Sequence, residues 1–337
     1  MVSISRRQFA QLGALSALGT LLPQWARGER SGNAACHKVI DAYIQDHRFQ
    51  GVVLLGRQGR SVFSREVGLA SFEAKKPIAL DTRFGVASIS KMFTSVTVLR
   101  LVEQQRLSLD TPIGSYLPWY RKDLGARLTL RRLLANNSGV LNQFSPVWKA
   151  DPAVMQRPMT TVDAVHRYCE ADLIFNPGER FDYSLSNWIL VLAIVESVTH
   201  KEFATAMQEI TLRPLGLMHT STEFDDNTAI PYSDTTPPEK KSYARPSFVA
   251  AAGGYYSNAG DLLRAGQKVF DGHFLMPESL RSLTTREVDT YALGGSVRDT
   301  HVGTNTVQAA WDTGNSSGYR LGTWTLPGRS WICRHPE

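Results

Sequence analysis

A chain of 337 residues is long enough for one large domain or two ordinary ones. With 42% apolar and 20% charged residues, its composition is that of a folded globular protein, which excludes disordered and fibrous chains. The formal charge is +6, but four arginines and one glutamate fall in residues 1–30, so the remainder carries a surplus of only three, too small for a nucleic-acid footprint.

The first thirty residues read as a targeting segment. Arg6-Arg7 is followed by a Leu-, Ala- and Gly-rich apolar run from Phe9 to Leu22. That run is too short and too weakly apolar for a permanent span. A charged start with a modest apolar core resembles a bacterial export signal of the twin-arginine type. A periplasmic or secreted protein is expected, without a membrane span, because the next apolar run, Trp188–Val195, is only eight residues long. Cys36, Cys169 and Cys333 allow at most one disulfide. No Cys/His cluster has metal-binding spacing, so neither a metal nor another cofactor is expected.

Past the signal, residues 36–48 carry Val39, Ile40, Tyr43 and Ile44 at helical spacing. Two β-rich runs around Arg57–Arg60 predict a hairpin. From Phe84 to Val102 the apolar residues Met92, Phe93, Val96, Leu99 and Val102 recur at three and four, the mark of a helix buried over much of its surface. Residues 104–128 turn polar and Pro/Gly-rich. Helices are predicted at 161–170, at 186–199 after the breaker Asn176-Pro177-Gly178, and at 259–271. Residues 225–247, with four prolines, read as a surface loop, and 305–325 as strands around a glycine turn. Strands at both ends with helices between predict an α/β (α+β) fold, an antiparallel sheet flanked by helices. The sheet-bearing parts are about 36–105 and 250–337, around a helical insertion at about 106–249.

The chemistry centres on Ser88-Ile89-Ser90-Lys91 at the head of the buried helix. Residues three apart share a helix face, so Ser88 and Lys91 point the same way, and the first turn offers free N–H groups for a developing oxyanion. A buried lysine beside a serine is one way to activate the hydroxyl without histidine. A capping serine with a surface lysine is the bland alternative.

The stretch DTRFGVASISKMFTSVTVLRLVEQQRLSLDTPI resembles the serine β-lactamase and penicillin-binding-protein superfamily, in its class C, DD-peptidase and esterase-like branch. LTLRRLLANNSGV, NPGERFDYSLSNWILVLAIVESVTH, LRPLGLMHTS and AAGGYYSNAGDLLRAGQ follow in the family's order, so the likeness spans roughly residues 38–320. It implies a β-lactamase/transpeptidase-like fold, Ser88 as the acylated nucleophile, Lys91 as its base and Tyr183 as the proton shuttle. The third motif, Lys- or His-Thr-Gly in the family, falls on Asp312-Thr313-Gly314 here. Gly314 would leave room for substrate along the strand, and the Asn315 N–H would complete an oxyanion hole with that of Ser88.

Two departures bear on substrate. Leu185 stands where the family has a hydrogen-bonding Asn, and Asn187 would face elsewhere. Asp312 reverses the charge that greets a substrate carboxylate. His301-Val302-Gly303 also fits the third motif but lies too early. Gly314–Gly318 fits Gly-x-Ser-x-Gly, yet a strand follows Ser316 and the downstream acid–histidine order is missing. Relatives continue through two more strands and a closing helix. Here a hairpin around Pro327-Gly328 fits before Glu337 and a terminal helix does not, whether the branch is short or the sequence truncated.

The expected protein is an exported serine hydrolase acting through an acyl-enzyme on Ser88. Its partner is a small ester, D-amino-acid peptide or β-lactam, with ester or peptide hydrolysis ahead of β-lactam hydrolysis. The alternative is a catalytically silent binding protein on the same fold.

Overall fold

A computed structural model of the chain describes residues 29–334 apart from positions 48, 58, 59, 244, 303, 317 and 327–329. The expected export signal lies outside the described residues, save its last two positions. Helix α1 (Glu29–His47) begins earlier than its apolar spacing predicts. It sets Ile40, Tyr43 and Ile44 on Phe49 and on Val53 and Phe63 of the hairpin that follows, β1 (Gly51–Arg57) and β2 (Arg60–Val67). The alternate residues of β1, Val52 and Leu54, enter the main core. A strand buried on both faces reads as an unbroken apolar run, which is why GVVLLG shows no alternation.

Helix α2 (Ser90–Glu103), which carries Lys91 and follows directly on Ser88, is buried nearly all round. Short helix α3 (Leu130–Leu134), helix α4 (Thr161–Tyr168), and α5 (Leu185–Thr199) follow in the insertion. Trp188–Val195 of α5 is a core segment with no more than 4% exposure, so its apolarity reflects packing. No helix among the described residues is long and apolar enough to cross a membrane. One turn, α6 (Ala250–Gly253), and the amphipathic α7 (Ala259–Phe270), capped by the Asn258 side chain on the Asp261 N–H, lead back to the sheet. α7 lies on the sheet face opposite α1. It comes so close that a Cβ on Gly56 would stand 2.4 Å from Leu263 Cδ1.

Helix α8 (Pro277–Thr284) and strand β3 (Ser296–Val302) had no clear signature. β3 is the edge strand of the sheet, paired there with β4 (Asn305–Ser316), and its polar residues face solvent. β5 (Tyr319–Leu326) and β6 (Ser330–Arg334) complete an antiparallel sheet of order β2-β1-β6-β5-β4-β3. β6 pairs with β1 through Leu54↔Cys333, so strands from opposite ends of the sequence lie side by side. This is the predicted sheet-bearing fold with a helical insertion. The expected hairpin after Tyr319 is the β5–β6 pair, with Pro327-Gly328 themselves outside the described residues.

The 225–247 loop departs from expectation. Its middle is exposed, but Tyr243 is buried to 4% exposure and Tyr232 anchors Phe72 through its hydroxyl, which accepts from the Phe72 N–H at 2.9 Å. Prolines and polar residues mark the loop's path, but these inward tyrosines carry no periodic signal. Cys169 is buried and free, its Sγ bonded to the Ser186 carbonyl, and burial pushes its thiol well up. The side chains of Cys36 and Cys333 lie outside the described residues.

Candidate active site

Phe84-Gly85 pairs with Tyr256-Ser257, and the Val86 N–H donates to the Tyr255 carbonyl at 2.9 Å. The chain then turns sharply: Ala87 takes φ +46° and a single 3-10 turn, Ala87–Ile89, leads into α2. Ser88 is left half-buried. One turn on, Lys91 is 1% exposed. Its Nζ donates to Ser88 Oγ at 3.1 Å and to the Ala252 carbonyl at 2.5 Å. It also lies over the rings of Tyr183 and Trp188, at 4.9 and 5.4 Å. A carbonyl and two ring faces thus surround the buried amino group.

Tyr183 closes the other side. Its hydroxyl is 2.7 Å from Ser88 Oγ, so the serine touches both the lysine and the tyrosine. Asn136, fully buried at φ +52°, holds that loop. Its carbonyl accepts from the Asp182 N–H at 2.8 Å, and its side-chain oxygen accepts from the Ser184 N–H at 3.3 Å and Asn187 Nδ2 at 3.1 Å. Asn187 in turn accepts from Ser138 Oγ at 2.6 Å. As expected, Asn187 faces away from Ser88 and braces the scaffold, while Leu185 packs on the apolar core.

The third wall is the end of β4. Register with β3 stops at Trp311, so residues 312–316 pair, among the described residues, only with β5 and turn an open edge toward the Ser88 turn. A Cβ on Gly314 would stand 2.3 Å from the Val86 carbonyl oxygen, so only glycine permits this approach. Thr313 and Asn315 are exposed on the outer face, and Asp312, like Gly314, points inward. Its carboxylate oxygens lie 2.6 and 2.9 Å from where a Cβ on Gly295 would be. Burial pushes the Asp312 carboxyl up to about 7, against the opposing pull of Lys91. The structure thus brings Ser88, Lys91, Tyr183 and the 312–315 segment together. His301 sits on edge strand β3, bonded to Thr306, and Ser316 is followed by a strand.

One residue at the site went unrecognised in the sequence. Tyr291, in the loop before β3, lies in the field of both Tyr183 and Asp312; burial, then these two groups, hold its hydroxyl well above the usual phenol value. Only the glycine pair that follows hinted at it. A Cβ on Gly294 would meet Ser95 Oγ at 2.3 Å, so this loop is pressed against α2. Among the described residues no cluster of three or more His, Cys, Asp or Glu could hold a metal.

An antiparallel sheet between helices, and a Ser-x-x-Lys turn facing a tyrosine loop and a strand edge, define the hydrolases of the β-lactamase and penicillin-binding-protein fold. The chain belongs to the Beta-lactamase family, whose model matches residues 37–334. Esterase EstB of Burkholderia gladioli is 29% identical to it, over 87% of this chain and 85% of that protein. A penicillin-binding protein from Bacillus halodurans superposes with a TM-score of 0.75 at 24% identity, covering 88% of this chain and 94% of that one. The D-amino acid amidase of Ochrobactrum anthropi SV3 does so at 0.74 and 20% identity, over 90% and 91%.

Proposed function

We propose that the protein is an exported serine hydrolase that acts through an acyl-enzyme on Ser88. The observation that carries this reading is the placement of Ser88 Oγ within hydrogen-bond reach of both Lys91 Nζ and the Tyr183 hydroxyl, 3.1 and 2.7 Å away. As Oγ attacks the acyl carbon, its proton passes to the Lys91–Tyr183 pair and the carbonyl π electrons move onto the oxygen. The N–H groups of Ser88 and Asn315 receive that oxyanion. Collapse expels the alcohol or amine, which takes the proton through Tyr183. Water then attacks the ester carbon, gives a proton to the same pair, and releases the acid with Ser88 restored.

The substrate is an ester or a D-amino-acid peptide ahead of a β-lactam. Leu185 cannot bond an acyl amide, and an ionised Asp312 repels a carboxylate where the family's lysine or histidine would attract it. A small uncharged ester needs neither contact. The likeness to an esterase over most of both chains supports the same choice. Export by the twin-arginine route rests on Arg6-Arg7 and the apolar run after them.

An active-site acylating probe, read by intact mass on wild type and Ser88→Ala, tests the mechanism. One adduct on wild type and none on the variant is expected. Equal labelling of both would remove the assignment. Labelling without turnover of any ester, peptide or β-lactam would leave a catalytically silent binding protein.

A further inference from the structure

The turn that presents Ser88 is strained at Ala87, and something must hold it. A non-glycine residue at φ +46° is strained and persists only where its surroundings enforce it. The enforcing contact comes from the loop 225–247. The Ala87 N–H donates to the Tyr243 hydroxyl at 3.0 Å, and that hydroxyl donates to the Gly253 carbonyl at 3.0 Å. Burial keeps the hydroxyl above the ordinary phenol value, so it stays a donor through the neutral range. The Tyr243 ring is wedged where a Cβ on Gly85 would be, 2.5 Å from its carbons, and meets Tyr256 and Tyr319 edge-on at 5.1 and 5.0 Å. The Arg245 guanidinium covers it at 4.4 Å.

The acceptor is as informative as the donor. Helix α6 is a single turn, so its last three carbonyls lack helical partners. Three in succession are taken up by the nucleophile segment. Thr94 Oγ1 donates to Ala251 at 2.9 Å, Lys91 Nζ to Ala252 at 2.5 Å, and Tyr243 carries Ala87 onto Gly253. The base and the turn before the nucleophile are therefore referenced to adjacent carbonyls of one short element. A change in the Tyr243 contact shifts Ser88 relative to Lys91.

We propose that Tyr243 is a positioning residue of the active site, whose hydroxyl locks the turn at Ala87 and so aims Ser88 Oγ at Lys91 and Tyr183. This rests on the reading of Ser88 as nucleophile. The residue touches no substrate and acts through the backbone of Ala87.

The test uses Tyr243→Phe in the full chain, which keeps the ring and removes the hydroxyl. Acylation of Ser88 by the mass-tagged probe and kcat for p-nitrophenyl butyrate are expected to fall about tenfold, the equivalent of one buried hydrogen bond, with KM within about twofold of wild type. Glycine tolerates positive φ unaided, so Tyr243→Phe/Ala87→Gly is expected to recover at least about threefold of the lost rate. Rates within about twofold of wild type for Tyr243→Phe overturn the proposal. So does a fall that Ala87→Gly leaves unrelieved, which marks packing alone. If Tyr243→Phe does not fold, hydrogen exchange at the Ala87 amide of wild type decides: slow exchange supports the contact and free exchange overturns it. An unlabelled wild type overturns the nucleophile assignment and this proposal together, whereas a labelled wild type with an unaffected Tyr243→Phe overturns only the latter.

Discussion

Replacing Asp312 by Asn should stabilise the protein in alkaline solution and do little in acid. The carboxyl is raised by burial from its ordinary 3.8 to about 7. The folded chain therefore binds this proton more tightly than the unfolded chain does. Its stabilising contribution is complete below about pH 4 and is lost as pH rises through about 7. At about 1.4 kcal/mol per pH unit, ionised Asp312 costs the native state roughly 4 kcal/mol at pH 8.5. Because the side chain is only half-buried and water relaxes around it, about half of that is expected, roughly 2 kcal/mol. Asn has the same shape and no charge, so it removes the cost. Thermal melts of both proteins at pH 5, 7 and 8.5 read the difference. The variant should melt only about 1 °C higher than wild type at pH 5 and about 3–4 °C higher at pH 8.5. An Asn gain that is equal at all three pH values, or greatest at pH 5, refutes the reasoning.

Gly314→Ala must push the Val86 carbonyl aside, since its Cβ would lie 2.3 Å from that oxygen; probe labelling of Ser88 should slow by about a hundredfold or more as the strand wall retreats. Asn136→Ala leaves the Ser184 N–H and Asn187 Nδ2 without their acceptor in a fully buried site, and the urea midpoint should report a loss of about 2–4 kcal/mol. Leu185→Asn with Asp312→Lys should raise kcat/KM for nitrocefin by about tenfold or more while leaving p-nitrophenyl butyrate nearly unchanged; a parallel rise in both would show that neither position governs substrate class. Tyr183→Phe keeps the ring over Lys91 but removes the hydroxyl 2.7 Å from Ser88 Oγ, so kcat should drop by about two orders of magnitude with KM little changed.

The pairing of Ser88 with Lys91 was legible because it is local. Three residues of helix suffice to put the side chains on one face, and the apolar spacing behind them announces burial. The rest of the site is assembled at long range, and what could be seen of it came from residue types at family positions. Gly314 was readable as room for substrate, but not as the seat of the Val86 carbonyl, because that contact joins residues far apart in the chain. Tyr243 and Tyr291 escaped for the same reason, since a buried tyrosine in a loop follows neither the helical nor the strand period. Asn136 was visible within LLANNSGV, but its task as a hub for the Tyr183 loop depends on a left-handed backbone that an asparagine tolerates and does not announce. Strand β3 was missed because, among its described side chains, a polar edge strand shows one buried residue, Val297, where a central strand would show several.

The place of β6 beside β1 has a consequence for how the chain comes into being. Ser88, Lys91 and Tyr183 are all synthesised long before β4, which supplies the strand wall, and β1 waits for β6 as its second neighbour. A polypeptide emerging from the ribosome therefore carries its reactive groups for most of translation without a finished cleft around them. During that interval the apolar strand β1 has one unpaired edge, the kind of surface that chaperones shield and that otherwise aggregates. Closure of the sheet joins distant parts of the sequence, so it belongs to the slow class of folding events. The strand wall beside Ser88 is therefore completed only when the returning strands close the sheet next to the first hairpin.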